Sequence, residues 1–448
     1  VFVKAFWVCL LGVLVTPVFA QYEFGCICST DVAHATGPSN SHKLAFRSEL
    51  INFDRDTVTL VFQSTESIYI ATSGNGSSPW SRPQALYPGQ NPGITWGRSG
   101  HRHLVWEMVD TASGVRNIFY RNLEYRMAPV NVSQSTVACS HPDVYGDSLR
   151  MAHIVWEEGG EIWYRRATES GVIGDRFCVS GYAGVVCDRP AIEEFNDGIS
   201  VVWQMFDSQT NVYRIMQRRQ VGGMWQPEQV LMESTDPLHN PSVDFSTGGE
   251  PFSAGWEMSV GTNSEVHFHG GNGGGYPTPG SSTAPVLTTM GTVWSYLFWE
   301  EDSAGTKDIF THFYYFMTGW SRSSIRNIFS IAEPVFSPNC LGALLVWTQG
   351  DAPPYKVMWG FFGYPIAAEE RTTTNTKPGT QSPTVVRNVI LLQTAGNSGS
   401  VQGGLFDRTG RKVMDLKAGA NDVAHLSPGV YFVHQAQRQE LRKVIITN

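Results

Sequence analysis

Charge is scarce in this chain. Only 16% of its 448 residues are charged, and the balance is slightly acidic, 32 Lys and Arg against 40 Asp and Glu. No long basic run occurs, which argues against nucleic acid or an anionic membrane surface as the main partner. Three catalytic signatures are missing as well. There is no Gly-Lys-Ser/Thr phosphate loop, no Gly-X-Ser-X-Gly nucleophile elbow and no His-Glu-X-X-His zinc pair. Long apolar runs are also lacking beyond the first residues. Ala5–Val15 follows Lys4 and gives way to Thr16-Pro-Val-Phe-Ala20. That run is too short to span a bilayer comfortably, and Pro17 interrupts the apolar stretch. Residues 1–20 therefore read as a secretory signal peptide cleaved after Ala20, with no transmembrane segment expected afterwards. Cysteine is sparse. Cys9 would leave with the signal, and Cys26, Cys28, Cys139, Cys178, Cys187 and Cys340 would remain in a compartment where disulfides persist. Cys178 and Cys187 could close a short loop, but six cysteines leave the pairing open. Cys26-Ile-Cys28 has no second pair at zinc-finger spacing.

Aromatics and glycines fill the space that charge leaves. Aromatic residues make up 12% and there are 45 glycines, which fits many short strands joined by tight turns. The strands repeat. His103-Leu-Val-Trp106-Glu107 is followed by His153-Ile-Val-Trp156-Glu157, Ser200-Val-Val-Trp203-Gln204, Ser253-Ala-Gly-Trp256-Glu257, Tyr296-Leu-Phe-Trp299-Glu300 and Leu344-Leu-Val-Trp347-Thr348, with Thr59-Leu-Val-Phe62-Gln63 as a first copy. The steps between aromatic anchors are 44, 50, 47, 53, 43 and 48 residues. Repeats at roughly 40–50 residues are characteristic of propellers. A second strand follows each anchor, as in Ile118-Phe-Tyr-Arg121, Ile162-Trp-Tyr-Arg165, Ile215-Met-Gln-Arg218 and Val266-His-Phe-His269. Before most anchors stands a short X-Pro-X-apolar element: Asn91–Ile94, His141–Val144, Arg189–Ile192, Asn240–Val243, Ala284–Leu287 and Glu333–Phe336. Pro lacks an N–H, so it suits the first residue or free edge of an inner strand.

The expected fold is therefore all-β, a seven-bladed β-propeller of four-stranded blades over residues 21–366. Six blades with an extra hairpin is the alternative. His42–Phe46 would be the first inner strand, and part of Tyr22–Phe46 would pair with the last blade to close the ring. Residues 367–384 read as a Thr/Pro/Gly-rich linker. Residues 385–448 read as a small β-sandwich, with strands at Asn388–Gln393, Gly403–Asp407, Lys412–Asp415, Val430–His434 and Lys443–Ile446.

Two family resemblances follow. The C-terminal module carries Leu405-Phe-Asp-Arg-Thr-Gly-Arg-Lys-Val413, Leu416–Val423, Leu426-Ser-Pro-Gly-Val-Tyr-Phe-Val433 and Arg442-Lys-Val-Ile-Ile-Thr447. It resembles the C-terminal sorting domain of bacterial type IX secretion substrates. That implies an immunoglobulin-like sandwich that engages the type IX machinery and leaves the protein secreted or on the cell surface. The repeats resemble those of sialidase-like secreted propellers. Ser73-Gly-Asn-Gly-Ser-Ser-Pro-Trp80 keeps the Ser and Trp of that family's Asp box and replaces its Asp, Gly and Thr.

No residue is assigned a catalytic, cofactor-binding or metal-binding role from sequence. Glu107, Glu157, Glu257 and Glu300 would suit glycoside hydrolysis as a pair, but they sit at equivalent repeat positions, which marks scaffold. His267 and His269 share a strand face as two metal ligands would, yet His269 falls where other repeats carry Arg121, Arg165, Arg218 and His312. A sialidase would gather three arginines at one channel mouth, whereas this shared repeat position points to the outer blades. The expected function is a non-catalytic exported propeller that binds a glycan or an extracellular protein. Its contact loops would be Asp110–Arg116, Phe206–Asn211, Ser259–Glu265 and Gly270–Pro279. The alternative is a sialidase-like glycoside hydrolase with a site at the channel mouth, favoured if one blade brings clustered acids there.

Overall fold

In the computed structural model of the chain, the described residues are 24–38, 40–46 and 57–361 apart from short stretches, of which 321–332 and 245–252 are the longest, and from 384 to 446 the strands with some of their turns. Residues 1–20, expected from sequence to be a signal peptide, and nearly all of 367–384, expected to be a linker, lie outside the described residues. Contacts divide the chain into two compact units, Val1–Ile366 and Ala367–Asn448.

The first unit is a seven-bladed propeller. Six blades run in chain order from an inner to an outer strand, and the seventh is completed by the N-terminus. Blade one comprises Leu44–Phe46, Val58–Ser64, Ser67–Ser73 and Gln84–Pro88. Blade two comprises Gln90–Trp96, Arg102–Val109, Arg116–Asn122 and Val130–Asn131. Blade three comprises Cys139–Gly146, Met151–Glu158, Glu161–Thr168 and Phe177–Cys178. Blade four begins Val185–Phe195, Gly198–Asp207 and Val212–Val221, and its outer edge is shared by Met224–Trp225 and Gln229–Ser234. The inner strands of blades five, six and seven are Leu238–Asp244, Ser281–Met290 and Val335–Leu341. In blade seven the outer strand is Phe24–Thr30, which pairs antiparallel with Tyr355–Phe361. Seven blades and this closure agree with the sequence reading, and Leu44–Phe46 is the first inner strand.

The aromatic anchors form the core of the ring. Trp106, Trp156, Trp203, Trp299 and Trp347 are fully buried, and Phe62 and Trp256 nearly so. Each stands on a second strand whose two faces are covered by neighbouring blades. Hence the anchor strands read as near-continuous apolar runs rather than as alternating ones. Removing such a ring would cost about 3–5 kcal/mol.

The X-Pro elements do something the sequence reading did not foresee. Pro lies inside the inner strand, at a one-residue bulge. In blade two, Gln90 pairs with Glu107 and Gly93 with Val105, so three steps oppose two. The residue before Pro is left-handed in six blades: Asn91 (φ 49°), His141 (52°), Arg189 (50°), Asn240 (52°), Ala284 (50°) and Ser337 (50°). The last corrects an expectation. The seventh-blade equivalent is Ser337-Pro-Asn-Cys340, not Glu333–Phe336. The register pairs Cys340 with Leu345, as Ile94 pairs with Leu104. Two X-Pro steps lie four residues apart there, at Glu333-Pro334 and Ser337-Pro338, and only the second puts its apolar residue, Cys340, opposite Leu345.

The six described cysteines are all unbonded, so the Cys178–Cys187 loop is not formed. Cys187 is buried in the apolar core beside Val179 and Trp203. No helix among the described residues is long and apolar enough to cross a membrane.

The second unit is a sandwich-like pair of sheets. Five strands run in the order Thr384–Val386, Glu440–Ile446, Gly429–Gln435, Gln402–Asp407 and Lys412–Lys417, and Val389–Leu392 pairs with Gly419–Asp422. Leu405, Leu416, Val423 and Tyr431 form its core. Gly419–Asp422 is not among the strands expected from sequence, because Gly-Ala-Asn-Asp has no apolar alternation. It is held instead through Asn421, which bonds the backbone of Lys417 in both directions.

Deleting Phe24–Thr30 removes a whole strand from blade seven and leaves Tyr355–Phe361 as an open edge. Thermal unfolding should then begin several degrees lower, with more aggregation through the free edge. An unchanged melting curve would show that the ring holds without this strand.

Candidate functional site

The repeated carboxylates have a structural duty that their position explains. A left-handed bulge turns its backbone N–H out of the strand ladder, and a buried donor must find an acceptor. The residue after the previous blade's anchor supplies it. Gln63 Oε1 accepts from Asn91 N (3.2 Å), Glu107 Oε1 from His141 N (2.9 Å), Gln204 Oε1 from Asn240 N (2.9 Å), Glu257 Oε2 from Ala284 N (3.4 Å) and Glu300 Oε1 from Ser337 N (2.6 Å). Glu107 also takes the amides of Gln90 and Asn91, each at 2.7 Å, and is fully buried. These acids couple one blade to the next, which agrees with the scaffold reading. Glu157 alone among the four turns elsewhere, to Ser140 Oγ and Gly160 N.

The arginines act at the outer edge. Arg165 Nη1 donates to Val132 O (2.8 Å), and Arg218 Nη1 to Val179 O (2.7 Å), each just past the outer strand of the preceding blade. The Arg121 guanidinium lies over Tyr87, on the outer strand of blade one. The three sit on different blades and engage outer-strand groups, so together they do not form a carboxylate clamp. His267 stands 3.4 Å from Glu265, and burial lowers its pKa. His269 is exposed. His103 is fully buried against the Tyr120 hydroxyl (2.9 Å), and burial lowers its pKa to about 4.

At the axis the structure gathers residues that the sequence reading passed over. The segment just before the first inner strand crosses between blades. Asn40 Nδ2 reaches Pro190 O of blade four (2.7 Å), His42 approaches Asp143 of blade three, and Lys43 N donates to Asn339 Oδ1 of blade seven (3.0 Å). Lys43 Nζ donates to Pro92 O of blade two (2.5 Å). Four blades thus hold Asn40–Lys43 across the channel.

Around His42 stand three acids. Its Nδ1 is 3.4 Å from Asp143 Oδ1 and its Nε2 is 3.7 Å from Glu193 Oε2, and the charge of Asp244 acts on it as well. Asp143 is fully buried and takes Ile192 N on its other oxygen (2.9 Å). Burial alone would lower the His42 pKa, but Asp143 and Glu193 outweigh it and raise the group to about 9. Burial, helped by Asp244, raises Glu193 to about 8. Burial lowers Lys43 to about 7. Near neutral pH the cluster therefore holds a charged imidazole and a protonated Glu193. A carboxylic acid kept protonated at this pH can donate a proton.

The sequence did contain a signal for these residues. The position before the inner apolar residue reads Lys43, Gly93, Asp143, Ala191, Ser242, Val286 and Asn339 around the ring. It differs in every blade. Positions that break a repeat, rather than those that follow it, carry what is unique to this chain.

No known family model matches the chain, and no curated protein does. Solved structures do. The propeller domain of the Trilobed protease from Pyrococcus furiosus aligns at TM-score 0.47 and 10% identity, over 72% of this chain and 94% of that one. The polysaccharide lyase Uly1 aligns at TM-score 0.47 and 8% identity, over 73% and 90%. An oligogalacturonate lyase from Vibrio parahaemolyticus aligns at TM-score 0.36 and 9% identity, over 77% and 98%. The fold stands on the strand pairing above and not on these similarities.

Glu107→Ala leaves three donors without their acceptor. It should destabilise the propeller by about 3 kcal/mol or more, read by denaturant unfolding, where an ordinary surface change would stay within about 0.5 kcal/mol. A second outcome follows from Glu193. A carboxyl with a raised folded pKa weakens the fold as pH climbs from the unfolded value of about 4.5 to the folded value of about 8. Glu193→Gln should match the native protein near pH 4.5 and become progressively more stable than it up to pH 8, by roughly 1 kcal/mol or more. Parallel pH profiles for the two proteins would refute the buried, protonated Glu193.

Proposed function

We propose that this protein is an exported, non-catalytic propeller that binds a glycan through the hairpins joining its second and third strands. Those hairpins emerge at one end of the ring, because the inner strands all run in the same direction. The carrying observation is that several tips are tied down by a carboxylate. Asp110 accepts from Ala112 N (3.1 Å), Ser113 Oγ (3.2 Å) and Asn131 Nδ2 (3.3 Å). Asp207 accepts from Gln209 N (2.9 Å) and Thr210 Oγ1 (2.7 Å). Asp302 takes Gly305 N (3.1 Å), and Asp31 holds the tip at Thr65 from outside (2.7 Å). Preorganised polar loops lose little entropy on binding, and their hydroxyls and amides suit sugar hydroxyls. Of the loops expected from sequence, Asp110–Arg116, Phe206–Asn211 and Ser259–Glu265 belong to this ring, the last narrowed by strand pairing to a turn at Gly261-Thr262. Within Gly270–Pro279, Gly274–Tyr276 is the outer strand of blade five, and most of the rest lies outside the described residues.

Export belongs to the same reading. The apolar N-terminus would lead the chain across the inner membrane, and the C-terminal module would pass it through the type IX route. A chain ending at residue 384 should then stay in the periplasm of a type IX host, while the full chain reaches the surface or the medium.

One observation favours a second reading, a sialidase-like glycoside hydrolase. Glu193 and Asp143 share His42 at the axis, and Glu193 is in the protonated form a general acid needs. A glycan array probed with the full chain, with released sugar measured in the same wells, separates the two. Binding without release is expected, falling about tenfold or more when the Asp110–Arg116 hairpin is cut to the two-glycine turn of blade three. Sugar release that Glu193→Gln abolishes would replace the first reading with the second.

A further inference from the structure

The junction between blades three and four departs from the others. Arg189 has the left-handed bulge conformation, yet its N–H goes to Asp188 Oδ1 (2.7 Å) rather than to Glu157. Glu157 bends back onto its own blade, where it accepts from Ser140 Oγ and from Gly160 N (2.9 Å). One ligand atom each from His141, Glu157 and Asp188 then lies within 4.8 Å of the other two. It is the one such group of three or more metal-ligating side chains among the described residues.

A second observation points the same way. His141 Nδ1 is shut off from water, and the atom it faces is Asp188 Oδ1, 2.8 Å away. An imidazole nitrogen held dry beside two carboxylates at ligand spacing is how this side chain meets a cation. The charges agree. Two carboxylates converge here, and the cation nearest to them, Arg189 Nε, is 3.9 Å from Asp188 Oδ2. The frame is fixed as well, because Glu107 holds His141 N at 2.9 Å. Bulges often re-aim a side chain in this way.

We infer that His141, Glu157 and Asp188 bind a divalent transition cation of the Zn²⁺ or Mn²⁺ class. One imidazole nitrogen with two carboxylate oxygens suits these ions, whereas Ca²⁺ and Mg²⁺ favour all-oxygen shells. Three protein ligands leave a coordination position open. Each of the three residues keeps part of its surface exposed. The turn above them is only Gly159-Gly160, with exposed Val137 and Val186 against it, so the open position faces a notch between the longer hairpins of blades two and four. This site is independent of the glycan reading, since it concerns the cation alone.

The test uses the full chain with Cys26→Ser and Cys28→Ser, which removes the exposed thiol pair as a competing zinc site. After chelator treatment, ZnCl₂ and MnCl₂ are titrated by calorimetry, and melting is followed in parallel. One equivalent of metal should bind and raise the melting temperature. His141→Ala and Asp188→Asn should each weaken binding by about tenfold or more, while His239→Ala, on the corresponding strand of blade five, should leave it unchanged. Bound Mn²⁺ should show nitrogen coupling by electron paramagnetic resonance, lost in His141→Ala. Asp188→Asn is nearly isosteric, so it serves if the alanine variant misfolds. Uptake that neither variant alters, or no uptake by the folded chain at millimolar metal, would overturn the site and leave an ion pair in its place.

Discussion

The propeller depends on one recurring hydrogen bond, from a bulged inner strand to the side chain behind the neighbouring anchor. The bulge costs backbone strain, of order 1–3 kcal/mol for a left-handed residue other than glycine. It also breaks the strand ladder and strands an N–H in a dry interior. An acid or amide from the preceding blade satisfies that donor at five junctions. The bond is local to each of these five junctions; between blades three and four Asp188 Oδ1 takes the bulge N–H instead, and blade one has no such bulge. It therefore fixes the rotation from blade to blade in a way that apolar packing, which is non-directional, does not. Glu300 shows the electrostatic side of the arrangement. Burial raises its pKa, and Ser337 N and Lys307 act against that rise.

Around this scaffold the chain closes its ring by two different means. At the rim, Phe24–Thr30 lends its backbone to the seventh blade. At the axis, Asn40–Lys43 reaches four blades at once, three through side chains and the seventh through the Lys43 backbone N. Blade one lacks the Pro bulge, and Thr36 takes its place against the last blade, bonding Ser337 O and Thr348 Oγ1. The missing X-Pro element of the first repeat and the Thr that follows Trp347 in place of an acid are thus one feature seen from two sides. Both mark the seam where the chain ends meet.

Much of this was legible in the sequence because it repeats. Trp106, Trp156 and their equivalents fixed the blade count, and the recurrence of Glu107 and Arg121 pointed to their contacts between neighbouring blades. The Pro elements announced the inner strands but not their bulges, since a positive φ at Asn91 or Ala284 leaves no residue-type signature. The seventh repeat offered two X-Pro steps, and only pairing with Leu345 selects Ser337. The axial cluster was harder to see. His42, Asp143, Glu193 and Asp244 are spread over four blades, and no spacing along the chain brings them together. Gly419–Asp422 was missed for another reason, namely that backbone pairing needs no apolar pattern.

The same logic separates groups whose bonding the repeat prescribes from groups whose bonding it does not. A residue that repeats is held by a neighbour that repeats, so its chemistry is already satisfied. Glu107 is the clear case, with both carboxylate oxygens engaged by buried donors. A residue that breaks the repeat has no such prescribed partner. Asp143 breaks it at the axis, where neighbouring blades carry Gly93 and Ala191, and it meets His42 instead. Asp188 breaks it at the third junction by taking over the bulge N–H, which releases Glu157 from the duty its equivalents perform. These two departures lie on adjacent blades, one at the axis and one at the bulge level. Each assembles titratable groups that the rest of the ring keeps apart.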